Sequence, residues 1–299
     1  MNIPITLISS LGVALCGNIS KKYYTNRKSI GLSGNFVFNA VACLVSTVIL
    51  LCWGGFGISS PFTIALGVAF GAVTALQGIS VLSALQIGPM SYTSVIISFS
   101  TLVSALSGVV FFGEALGWAQ IVGMVLMLIS FVLAVKSDSN EKKANLKWIF
   151  MCLIAFFATG SIGVMQKVHQ SSQHRGELNA FLIVAFASSA VFCTILALLL
   201  KRRENKSAEE GNAPKSTQLW MMVAVMLING ACIAINNKFN LYLSGVMDSA
   251  VFFPIVNGGG LVLTTLAAVI IFKEKLLVKQ WIGVVVGIAS VIFLCNPFA

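Results

Sequence analysis

The chain has 299 residues, 58% hydrophobic and only 9% charged, with a net charge of +10 and a mean hydropathy of +0.95. Soluble domains carry roughly 25% charged residues, so this composition excludes a soluble globular protein and points to an all-α integral membrane one. The basic residues are scattered among loops, which excludes a nucleic-acid-binding face and suits contact with the headgroups of a lipid bilayer.

A spanning helix needs about 20 apolar residues. In chain order the apolar runs predict ten of them, at 3–20, 32–53, 61–86, 89–112, 118–136, 148–168, 180–200, 218–245, 249–272 and 280–297. Trp53 closes the second run, and Trp118, Trp148, Trp220 and Trp281 open the fifth, sixth, eighth and tenth. Tryptophan prefers the headgroup layer, so these five read as an interfacial belt. The first run has no basic region before it and is followed by Lys21 and Lys22, which is not the pattern of a cleavable signal peptide. Seven cysteines stand singly in apolar runs. None has zinc or redox spacing, and they read as small buried hydrophobes.

Polar residues inside these runs are the candidates for function, because a polar group in hydrocarbon must be partnered or face a wet cavity. Helix one ends with Asn18, and helix three contains Gln77 and a Gly67/Gly71 pair suited to helix packing. Helix four has two serine stripes. Ser91, Ser94, Ser98 and Thr101 share one face and form the better cavity candidate, while Ser100, Ser104 and Ser107 lie opposite. Packing and back-bonding to the preceding turn are open readings for both. Helix six places Thr159, Gly163 and Gln166 on one face, with Lys167 and His169 at its end, where a lysine can snorkel to the headgroups. Helix eight is the most polar, with Asn229, Asn236, Asn237, Lys238 and Asn240. Asn229, Asn236 and Asn240 fall within about 40° of each other on the helix and are expected to face inward. Lys238 points the other way, either snorkelling or marking an unwound turn. Helix nine carries Pro254, Asn257 and three glycines at 258–260, which predict a kink or break. The matching stretch of helix four holds Ser94, Ser98, Phe99 and Ser100, so that break would be asymmetric.

One stretch occurs twice. Phe112-Gly113-Glu114-Ala115-Leu116 returns as Phe272-Lys273-Glu274-Lys275-Leu276, an offset of 160 residues that also superposes Gln120 on Gln280, Gly123 on Gly283 and Ser130 on Ser290. Each copy joins two apolar runs by a short turn with one carboxylate, favoured at the positive end of the helix that follows. The chain therefore divides into a first five-helix repeat (1–136), a linker (137–147) and a second five-helix repeat (148–299). An odd number of helices per repeat inverts the second. The longer polar stretch at 201–217 reads as a loop.

Charge sets the orientation. Lys21, Lys22, Arg27 and Lys28 lie in loop one, and Lys136, Lys142, Lys143 and Lys147 around loop five. Lys201, Arg202, Arg203, Lys206 and Lys215 lie in loop seven, and Lys273, Lys275 and Lys279 in loop nine. Of the 19 basic residues, only Lys167, Arg175 and Lys238 lie elsewhere. The positive-inside rule then places odd loops in the cytoplasm and both termini outside.

The pattern Gly-Glu-x-Leu-x-x-x-Gln-x-x-Gly at 113–123, its copy with Lys273 in place of the glycine, and the five-plus-five duplication resemble the drug/metabolite transporter superfamily, specifically its EamA-type members. The resemblance covers essentially the whole chain. It implies two inverted repeats around a central cavity lined by helices one, three, four, six, eight and nine, worked by alternating access. Many members keep their termini in the cytoplasm, the reverse of the charge bias here. Cargo in the superfamily ranges over amino acids, sugars, nucleotide-sugars, phosphorylated metabolites and drugs.

All nine carboxylates lie in loops or at helix ends, whereas an exporter of cationic drugs needs a buried acid. His169 and His174 have no zinc spacing, and no nucleophile–base pair is present. The sequence thus points to a secondary transporter of a small polar, neutral or anionic metabolite. It is expected to be no enzyme, to use no cofactor or metal, and to act as a monomer or a homodimer. The alternatives are a multidrug or cation exporter and a non-transporting membrane receptor or scaffold. The expected substrate contacts are Asn18, Gln77, Ser94, Ser98, Gln166, Asn229, Asn236, Asn237, Asn240 and Asn257.

Overall fold

The computed structural model describes residues 2–27, 32–57, 60–87, 90–134, 146–204, 216–271 and 277–295, and among them there is no strand. The helices are α1 (Ile3–Arg27), α2 (Leu32–Gly54), α3 (Pro61–Ile87), α4 (Met90–Ser98), α5 (Thr101–Phe112), α6 (Trp118–Ala134), α7 (Leu146–Ser171), α8 (Leu178–Glu204), α9 (Ser216–Val246), α10 (Ser249–Ile270) and α11 (Val278–Leu294). A 3₁₀ turn, Arg175–Glu177, leads into α8. With α4 and α5 together filling the fourth predicted span, the helices fall on the ten apolar runs. Among the described residues seven stretches are long and apolar enough to cross a membrane, and α6 and α11 are shorter apolar helices. Two compact units form. One comprises Met1–Leu11, Leu76–Arg175 and Asn240–Ala299, the other Gly12–Ala75 and Gly176–Phe239.

In the first unit α6 packs along α11, and the duplicated residues show why they are duplicated. Ser130 donates to the carbonyl of Gly283 at 2.7 Å, and Ser290 donates to the carbonyl of Gly123 at 2.6 Å. Lower positions on one helix thus meet higher positions on the other, so the two run antiparallel. Reciprocal contacts between equivalent residues of two repeats are what an inverted duplication produces. Glycine supplies the close approach. A Cβ on Gly123 would meet Leu294, and one on Gly287 would meet Ser130 and Val262. Small residues drive helix association in lipid because burying apolar surface yields little there. The duplicated glutamines have a shared role as well. Gln120 accepts the backbone N–H of Gly117 at 2.8 Å, and Gln280 that of Leu277 at 3.0 Å. Each turns back to satisfy an orphan donor at the start of its own helix. Met124, Met127, Phe131, Ile255 and Leu294 form the buried core here.

In the second unit α2 lies along α8, and α8 also meets α3. Gly67 and Gly71 touch α8 closely: a Cβ would meet Val184 at the first and Ser188, Ser189 and Ala185 at the second. The rings of Phe70 and Phe181 stand edge to face, 5.5 Å between centroids. The Gly67/Gly71 pair expected to serve packing therefore does so. Ser46 donates to the carbonyl of Gly230 at 2.8 Å and ties α2 to α9.

Three expectations change. The break falls in the fourth span instead of the ninth. At Ser100, Leu102 and Val103 the backbone N–H groups bond three residues back instead of four, a 3₁₀ tightening that separates α4 from α5. Helix α10 runs unbroken from Ser249 to Ile270 through Pro254. Its glycines stay helical, since positive φ among the described residues occurs only at Gly55 and Gly113. Gly258 is there for contact, because a Cβ would strike Met127. Trp148 leaves the belt: it is 6% exposed and donates its indole N–H to Thr93 at 2.8 Å. Trp53, Trp118, Trp220 and Trp281 remain exposed. Finally, Cys43, Cys152, Cys193 and Cys232 are buried, but Cys16, Cys52 and Cys295 are on the surface of the chain.

Candidate functional site

The first polar cluster begins at the turn after α5. Gly113 has φ 67°, ψ 23°, and the N–H groups of Gly113 and Glu114 both reach back to the carbonyl of Gly108. This left-handed closure favours glycine and folds Glu114 back against the bundle. Gly108 leaves room for it, since a Cβ there would strike the Glu114 carboxylate and Ser249. The carboxylate accepts from the backbone N–H of Ser249 at 2.6 Å and from its hydroxyl at 3.2 Å. It pairs with the Lys167 ammonium at 2.6 Å, both side chains being 9% exposed. Lys167 donates in addition to the carbonyl of Met247 at 3.0 Å, and its ammonium is 6.0 Å from the centre of the Phe112 ring.

Two readings of the sequence are corrected here. Glu114 caps the N-terminus of α10, a different helix from the one that follows it. Lys167 does not snorkel; it is buried by its ion pair. Glu274, the second copy, lies outside the described residues. The fully buried His169 adjoins the cluster in sequence, and its Nδ1 is 3.2 Å from the Gln170 amide nitrogen.

The asparagines of α9 are spread over both units. In the second unit Asn229, 4% exposed, donates to the Gly17 carbonyl at 2.9 Å and to the Ser20 hydroxyl at 3.1 Å. In the first unit Asn240 accepts from the Ser10 hydroxyl at 2.5 Å. Two of the three asparagines of the stripe thus bind α1. Asn236 and Asn237 are half-buried, and Asn237 donates back to the Ile233 carbonyl at 3.0 Å. Asn18 is exposed. In the first unit Gln166 is 6% exposed, Gln77 and Ser98 are half-buried, and Asn257 is exposed on α10. The side chain of Ser94 lies outside the described residues. The opposite serine stripe packs: Ser104 donates to the Gly160 carbonyl at 2.9 Å, and Ser107 to that of Ser104 at 2.7 Å.

A third cluster, in the second unit, was not anticipated. Lys238 stands with its ammonium 4.1 Å from the centre of the Trp53 ring and 3.4 Å from Asn179 Oδ1. Its α9 is continuous there, so the lysine marks no unwound turn. Trp53 at a helix end and Lys238 inside a span were visible separately, but nothing in the sequence pairs them. Two residues before Asn179 in sequence, Glu177 accepts from the N–H and hydroxyl of Ser60 at 3.0 and 2.9 Å.

Comparison with known proteins decides the family. The model of the EamA-like transporter family matches residues 3–136 and again 146–296. The chain belongs to that family. It is accordingly a multi-pass membrane protein of transporter type, all-helical and built from two repeats. An uncharacterised protein of Haemophilus influenzae is 21% identical to this EamA-family chain over 307 aligned positions, covering 97% of this chain and 96% of that one. A solved structure, described only as the crystal structure of a protein, shares the fold at a TM-score of 0.67 and 16% identity, over 96% of this chain and 98% of the other.

Proposed function

We propose that this EamA-family protein is a secondary transporter that moves a small polar, neutral or anionic metabolite across the cell membrane by alternating access. The observation that carries the reading is the pairing of Glu114 with Lys167. A carrier of cations needs a carboxylate free to exchange cargo for a proton, and this buried carboxylate is already neutralised. Amides take the place of charge. Gln166 on α7 and Asn236 and Asn237 on α9 are polar groups on helices of a membrane protein, and such groups orient a solute by hydrogen bonding.

The test is uptake into proteoliposomes. Asn236→Ala and Asn257→Ala are each expected to weaken substrate affinity by about 0.5–1.5 kcal/mol if one ordinary hydrogen bond is lost. Asn205→Ala, in the polar loop, is expected to leave it unchanged. If both helix substitutions lower only the yield of folded protein and leave affinity intact, the asparagines are structural and the site lies elsewhere.

Orientation follows the basic loops, with residues 21–28 and 201–215 in the cytoplasm and Ala299 outside. A C-terminal reporter that fluoresces only in the cytoplasm is expected to stay dark. Bright cells would reverse the assignment.

A further inference from the structure

Lys167 and Lys238 both lie within long helices, and the fold treats them differently. Lys167 has a carboxylate of its own chain at 2.6 Å. Lys238 is in no ion pair among the described residues. Its only polar contact there is Asn179 Oδ1 at 3.4 Å, a long and weak hydrogen bond. An ammonium has three donors, so two remain for other acceptors. Yet the side chain is placed with care. Asn179 is held by its own amide, which donates to the carbonyls of Leu50 at 3.1 Å and Gly55 at 2.8 Å. A Cβ on Gly54 would crowd Asn179 at 2.9 Å. The Trp53 ring offers its face to the ammonium at 4.1 Å. The C-terminal end of α2, which carries Trp53, favours a cation beside it. A lysine on a helix of a membrane protein, held among the described residues only by neutral groups, is costly and marks a site.

We infer that Lys238 is the receptor for an anionic group, a carboxylate or a phosphate, with Asn179 and Trp53 as its positioning residues. The inference rests on the transporter reading above where the anion belongs to the cargo, and it narrows that cargo to an anion. The phosphate of an acidic lipid headgroup presents the same chemistry, and the experiment separates the two sources.

Melting temperatures of the purified full-length protein are measured in neutral detergent with succinate, inorganic phosphate, neutral succinamide, or phosphatidylglycerol against phosphatidylcholine. A ligand that binds only the folded state raises its stability. Succinate or phosphate is expected to raise the melting temperature of the unmodified protein, of Lys238→Arg and of the surface control Lys147→Gln, but not of Lys238→Gln. Succinamide is expected to do nothing. A Lys238-dependent shift with phosphatidylglycerol alone retains the anion receptor and assigns it to lipid. If Lys238→Gln does not fold, protection of Lys238 from an amine-acetylating reagent by succinate, phosphate or phosphatidylglycerol is read instead. No shift with any of the three anions, an equal shift in Lys238→Gln, or no protection overturns the inference. Transport of a neutral solute that survives Lys238→Gln removes the anionic cargo and leaves the transporter. A retained anion shift with no transport of any solute removes the transporter reading and leaves the receptor.

Discussion

Replacing Glu114 by alanine is expected to destabilise the protein by about 3–5 kcal/mol, because it strands a buried charge. Among the described residues Lys167 would keep the Met247 carbonyl as its one hydrogen-bond acceptor. The Ser249 N–H, at the start of α10, would lose the carboxylate that now accepts it at 2.6 Å. Lys167→Ala is expected to cost a similar amount by leaving the carboxylate without its cation. Replacing both by apolar residues of similar volume is expected to cost much less than either single change, because a buried ion pair mainly offsets its own desolvation. Denaturant unfolding in detergent, run as a double-mutant cycle, measures the coupling. A loss below about 1 kcal/mol for Glu114→Ala would match an exposed pair and contradict the burial of the two side chains.

Gly71→Ala is expected to produce the second large effect. The added methyl would meet the Ser188 hydroxyl, the backbone N–H of Ser189 at 2.7 Å and the backbone carbonyl of Ala185 at 2.8 Å. A hydroxyl can rotate away, but backbone cannot, so α8 must shift relative to α3. Overpacking of this kind costs about 1–3 kcal/mol, sometimes more. Gly12→Ala is the comparison, since nothing lies within 4 Å of its Cβ. There the change is expected to raise stability by up to about 1 kcal/mol, through helix propensity alone. Equal melting temperatures for the two variants would mean that α3 and α8 do not pack at Gly71.

The ten spans, the two repeats and the family were legible in the sequence. Lipid imposes a rule on each helix separately: a run of about 20 apolar residues must satisfy its own backbone. Such a rule can be read one segment at a time. The offset of Gln120 to Gln280, Gly123 to Gly283 and Ser130 to Ser290 was equally visible, and these residues do serve the same roles in both copies. Their roles are local, or repeat with the duplication itself.

Pairings between distant residues were decided only by the tertiary structure. By sequence position Glu114 starts the helix that follows it, yet it caps one 135 residues further on. Trp148 had the sequence position of a belt residue, but Thr93 on α4 took its indole N–H into the interior. Glycines at 258–260 lower the cost of breaking a helix without compelling it, and α10 runs unbroken through them with Gly258 close against Met127. Lys238 meets Trp53 and Asn179 because α9, α2 and α8 converge there. Hydropathy and periodicity describe one helix against its solvent. Which residue neutralises a buried charge depends on which helices meet, and that is set by packing between elements far apart in the chain.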